Sequence, residues 1–113
     1  MRAVARTASP RWALAARTET RDDTTILFLE GRIGYATLEA FRRAAREALA
    51  HPGTKLLILD MSGVDYLNGG GLREIIALGA EARARGGRVV VRGANHAVRV
   101  TMGLADFRRR GRR

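Results

Sequence analysis

A chain of 113 residues, 46% hydrophobic, 28% charged and 5% aromatic, has the composition of one folded domain, too short for two cores and too apolar for wholesale disorder. It holds no cysteine and two histidines, which excludes disulfides, thiol catalysis and cysteine zinc sites and argues against a histidine metal site. Of the net charge of +10, eight positive charges fall in residues 1–11 and 108–113, so the body carries only about +2 and is not built as a phosphate-binding face.

Residues 1–11 read as a basic extension with Arg2, Arg6 and Arg11. From Trp12 to Thr20 apolar and polar side chains alternate, the period of a half-exposed strand. Arg21-Asp22-Asp23 makes a polar break before Thr24 to Glu30, whose Ile26-Leu27-Phe28-Leu29 centre suits a strand buried on both faces, so the two segments form a hairpin. Gly31 and Gly34 bracket a tight connection. Leu38, Phe41, Ala45, Ala48 and Leu49 then recur at helical spacing, with Glu39, Arg42, Arg43, Arg46 and Glu47 on the other face. Thr37 is placed to cap this helix, and His51-Pro52-Gly53 ends it.

Leu56-Leu57-Ile58-Leu59 is a continuous apolar run, expected as a central parallel strand with a helix on each side. A second helix is expected from Gly71, with Leu72, Ile75, Ile76, Gly79 and Ala82 as its inward stripe, ending at Gly86-Gly87 before the strand Arg88 to Arg92. A third, shorter helix follows from about Asn95, a good cap, through Val98 and Met102 to Gly103, with Leu104 and Phe107 packed behind it. Residues 108–113 form an arginine-rich tail. The fold class is α/β: an open four-stranded mixed sheet, an N-terminal hairpin plus parallel strands, with about three helices against it, occupying residues 12–107.

The stretch from Asp60 to Leu72 runs from the central strand into the second helix, at the end of the sheet where α/β proteins place their sites. Three glycines opening a helix offer bare N–H groups to a phosphate. A nucleotide P-loop, however, follows its last glycine with lysine and a hydroxyl residue, whereas Leu72 and Arg73 follow Gly71. The simpler reading is a tight turn capped by Asn68. Asp60 and Asp65 have no histidine, third acid or nucleophile beside them, Ser62 reads as a turn residue, and His51 and His96 lie in different loops. No catalytic residue, metal or cofactor is therefore expected. No apolar run approaches the roughly 20 residues that span a bilayer, and Met1 to Arg11 lacks the apolar centre of a secretory signal, so a cytoplasmic location is expected.

Five pieces in order carry a family resemblance: Leu29-Glu30-Gly31-Arg32-Ile33, Leu57-Ile58-Leu59-Asp60-Met61-Ser62-Gly63-Val64, Gly71-Leu72, Gly86-Gly87-Arg88-Val89-Val90-Val91, and Met102-Gly103-Leu104-Ala105-Asp106-Phe107. Across residues 12–107 the chain resembles a STAS domain, and most of all the small bacterial anti-sigma factor antagonists. The resemblance implies a non-catalytic transcription regulator that works by partner switching: it binds an anti-sigma factor of the serine kinase type and so releases a sigma factor. The family loop usually reads Asp-Ser-Ser-Gly-Leu, matched here by Asn68, Gly69, Gly70, Gly71 and Leu72. The phosphoacceptor position is thus Gly70, which has no hydroxyl. The partner-binding residues so implied are Asn68, Gly69, Gly70, Gly71, Leu72 and Arg73, with Leu78, at the edge of the helix stripe, as an apolar anchor or else a core residue. Two alternatives remain: a subunit docking on a membrane-transport ATPase, although the threonine often found in that loop is missing, or a nucleic-acid-associated protein acting through its arginine tails. No specific nucleic acid is expected, and the chain is expected to be a monomer or a weak homodimer paired through its hairpin edge.

Overall fold

The computed structural model describes residues 13–110, with side chains described as far as Gly103. The chain runs β1 (Leu14–Arg21), β2 (Thr24–Ile33), a short 3-10 turn (Tyr35–Thr37), α1 (Leu38–Ala50), β3 (Leu56–Leu67), α2 (Gly69–Ala84), β4 (Arg88–Arg92) and α3 (His96–Arg110). The sheet order is β1-β2-β3-β4, with β1 antiparallel to β2 and the other two pairings parallel. This is the expected mixed sheet with its N-terminal hairpin. Trp12 and the two ends of the chain, 1–12 and 111–113, lie outside the described residues, as do the side chains of Leu104 and Phe107.

The hairpin turns at Asp22, which takes the left-handed conformation at φ 56°, a region that Asp tolerates better than most residues. Where β1 begins against β2, Gly31 has φ +120° and a side chain there would meet the carbonyl oxygen of Ala13, so only glycine fits.

Each parallel connection is a crossover, β2-α1-β3 and then β3-α2-β4, and both step the same way across the sheet. Right-handed crossovers in one direction place both helices on one face. The core follows: Leu27 and Leu29 of β2 and Leu57 and Leu59 of β3 pack with Phe41, Ala45, Ala48 and Leu49 of α1, Ile75, Leu78 and Ala82 of α2, and Val98 of α3. The expectation of a helix on each side of β3 is corrected by this topology. On the other face Ile26, Phe28, Leu56, Ile58 and Val90 are half-buried. Arginine stems partly take the place of a helix there, with Arg17 stacked 3.9 Å from the Phe28 ring centroid and Arg92 at 5.9 Å.

Three further expectations change. β3 does not stop at Leu59 but continues to Leu67, because β2 also extends to Ile33 and pairs with it through two register irregularities. Asp60 to Leu67 is therefore strand, not loop. The helix α3 runs on to Arg110, so the first three arginines of the expected tail are helical. Thr37 precedes α1 but makes no side-chain cap bond to it; its hydroxyl accepts from Gly34 N at 3.0 Å and donates to Arg32 O at 2.7 Å, tying down the β2-α1 connection. Asn95 caps α3 as expected, its Oδ1 accepting from Val98 N at 2.9 Å.

Candidate functional site

The three glycines form the first turn of α2, not a loop. Asn68 is the N-cap: its Oδ1 accepts from Gly71 N at 2.8 Å and its carbonyl from Leu72 N at 3.0 Å. Its own N–H donates to Ile33 O at 3.0 Å, which anchors the helix start to the end of β2.

The glycines differ in what surrounds them. A Cβ on Gly71 would lie 2.6 Å from Leu67 Cδ1 and 2.7 Å from Ile33 Cγ2, so the helix backbone rests directly on the sheet. At Gly70 it would lie 3.3 Å from Leu38 Cδ2, and at Gly69 it would meet nothing within 4 Å. Position 70 thus sits in the crease between α1 and α2, and position 69 faces solvent.

From Gly69 an exposed stripe continues along α2 through Arg73, Ile76, Ala77 and Ala80. Ile76 is 52% exposed, whereas Leu78 is 0% exposed and belongs to the core. The suggestion of Leu78 as a surface anchor is corrected, and so is the placing of Ile76 in the inward stripe. The buried residues of α2 are Gly71, Glu74, Ile75, Leu78 and Ala82, a helical repeat that includes a charged residue. Glu74, 8% exposed, is held by α1: its Oε1 accepts from Arg42 Nε at 3.3 Å and its Oε2 from Arg46 Nη2 at 3.1 Å. Glu81 also pairs with Arg46, and with Arg85 at 3.6 Å. Both acids join α2 to α1, Glu74 buried and Glu81 partly exposed.

The β2-α1 connection presents Tyr35, 95% exposed, and Arg32 stacks 4.5 Å from the centroid of the Tyr66 ring. Reasoning from the sequence passed over Tyr35. An aromatic residue inside a glycine-bracketed turn, without periodic partners, is a signal that could have marked it.

Asp60 and Asp65 do not come together. Asp65 is exposed, while Asp60 is buried, its Oδ1 accepting from Ser62 N at 3.0 Å and Ser62 Oγ at 2.5 Å and its Oδ2 from Arg92 Nε at 2.8 Å. Burial works to raise its pKa, but the hydrogen bonds from Ser62 and Arg92 outweigh it and hold the carboxyl below its ordinary value of 3.8. The carboxylate is a structural tie between β3 and β4. His51 and His96 are exposed and lie at opposite ends of the chain's helices, one after α1 and one opening α3.

Among the described residues no helix is long and apolar enough to cross a membrane. No curated protein matches the sequence. Among solved structures, an anti-sigma factor antagonist from Mycobacterium paratuberculosis superposes with a TM-score of 0.75 at 23% identity, covering 91% of this chain and 86% of that one. The anti-sigma factor antagonist SpoIIAA in its unphosphorylated form gives 0.70 at 17% identity, covering 81% of each chain. The murine Slc26a9 anion transporter in its inward-facing state gives 0.65 at 20% identity, over 76% of this chain but only 14% of that one. At these identities the likeness is one of fold. The family model described as "Mlab, STAS domain" matches residues 16–109, nearly the whole described chain, and the chain accordingly belongs to the STAS domain family.

Proposed function

We propose that this STAS domain is a non-catalytic docking protein of the anti-sigma factor antagonist kind, whose partner, an anti-sigma factor of the serine kinase type, covers the N-terminal half of α2. The observation that carries this reading is the exposed stripe from Gly69 to Ala80, apolar at Ile76, charged at Arg73 and small at Gly69, Ala77 and Ala80, together with the exposed Tyr35. A helix face of small residues lets a partner's backbone approach closely, and a single isoleucine and an aromatic ring supply anchors. Of the residues expected at the interface, Gly69, Arg73 and the half-buried Gly70 and Leu72 are reachable. Asn68 and Gly71 serve by shaping the helix start. In this reading Gly70 leaves the domain without the hydroxyl that would take about two negative charges on phosphorylation, so binding is not switched off there, and one interface competes with another in the cytoplasm.

Affinity capture with the full chain, in the presence of ATP and magnesium, tests it against the variants Gly70→Asp and Ile76→Asp. Retention of an ATP-binding anti-sigma kinase is expected, about tenfold weaker on either variant, with no phosphate mass on the bait. Undiminished retention on both variants removes the start of α2 from the interface. A second reading, docking of the same face on a transport ATPase, draws on the occurrence of this fold within an anion transporter. Capture of such an ATPase would replace the first reading with the second.

A further inference from the structure

A groove of about 880 Å³ runs between α2 and α3 above the edge strand β4. Val89 and Val91 form its floor, Leu72, Ile75 and Ile76 one wall, and Met102 part of the other. Gly79 in the middle of α2 and Gly103 in α3 also line it. Glycine inside a helix costs stability relative to alanine, and packing does not call for it here. Among the described residues, a Cβ on Gly79 would meet only Arg83 Nη1, at 3.6 Å, and one on Gly103 nothing within 4 Å. Both glycines instead leave the groove wide.

Its charge is of one sign. Arg83 and Arg99 line it, and no acidic residue is among its described lining. Arg83 pairs with no described residue, and Arg99 gives one N–H to Ala94 O at 3.1 Å, so guanidinium donors remain for a carboxylate. From Leu72 to Arg83 the wall is about 16 Å long at the helical rise, the length of one extended alkyl chain with a head group at its end. We propose that this groove binds a free medium-chain alkyl carboxylate, its chain over Val89 and Val91 and its carboxylate on Arg83, with Arg99 adding positive potential. This site shares Leu72 and Ile76 with the docking stripe, but its floor at Val89 and Val91 and its Arg83 lie outside that stripe, so it does not depend on the identity of the docking partner.

Titration of the full-length protein with monomeric dodecanoate, followed by NMR shifts of β4 and α2, is the test. Saturable binding with shifts centred on Val89, Val91 and Gly79 is expected, with dodecanol and dodecyltrimethylammonium each about fivefold weaker or more. Gly79→Leu fills the groove while suiting the helix better than glycine, and is expected to bind about tenfold more weakly with no fall in unfolding temperature. Arg83→Gln should erase the preference for dodecanoate over dodecanol. Unchanged affinity in Gly79→Leu, equal binding of the ammonium amphiphile, or shifts confined elsewhere would overturn the proposal. Retention on phosphatidylglycerol vesicles without saturable dodecanoate binding would overturn it too, and would assign the anionic attraction to the arginine tails.

Discussion

Gly69 and Gly71 lie two residues apart in one helical turn and are under different constraints. At Gly71 the missing side chain is what lets α2 touch Ile33 and Leu67. Gly71→Ala should therefore lower stability by about 1–3 kcal/mol through overpacking, against the small gain in helix propensity. Gly69→Ala, in open space, should stay within about 1 kcal/mol of the parent. Urea unfolding of both variants checks this, and equal shifts would mean that close approach does not select glycine at position 71. Asp60 makes a pH-dependent contribution. Because its pKa is depressed below 3.8 in the folded state, its stabilisation is present above about pH 4 and lost as pH falls through the folded value. Asp60→Asn should cost about 1–2 kcal/mol near pH 7, and the gap should shrink as pH falls below the ordinary value of 3.8. A gap independent of pH would mean that the charge on Asp60 contributes nothing.

At the scale of elements, the contact between α1 and α2 is partly ionic, and Glu74 is its centre. The carboxylate is almost covered, while Arg42 and Arg46 keep 44% and 38% of their side chains exposed. Removing the acid leaves arginines that can return to water, so Glu74→Ala should cost about 1–3 kcal/mol rather than more. A double-mutant cycle with Arg46→Ala should show coupling between the two positions; simple additivity would relegate the pair to surface contact. The same residue explains why the orientation of α2 was misread. A stripe drawn from uncharged residues alone leaves Glu74 out and takes Ile76 in. The partners of Glu74, 32 and 28 residues away on α1, reverse that. By contrast α1 was readable from its own residues, since its buried set of Phe41, Ala45, Ala48 and Leu49 is wholly apolar.

At the scale of the whole molecule, charge is set by the chain's ends and shape by its crossovers. With eight of ten net charges in residues 1–11 and 108–113, the full chain should bind any duplex DNA weakly, with affinity falling steeply as salt rises. A variant lacking both segments should lose that binding while keeping its fold. An unchanged salt slope after trimming would locate phosphate contacts on the sheet or the helices, contrary to the near-neutral body.

The order of strands and helices, the hairpin, the caps at Asn68 and Asn95 and the absence of a hydroxyl at position 70 followed from the sequence alone, because local periodicity, turn chemistry and side-chain identity act over a few residues. The single-sided placing of the helices, the run of β3 on to Leu67 and the exposure of Ile76 in place of Leu78 were decided only by tertiary structure. Each depends on a neighbour distant in the chain: the common direction of two crossovers, the pairing of β2 with β3, and the arginines of α1 that draw Glu74 inward.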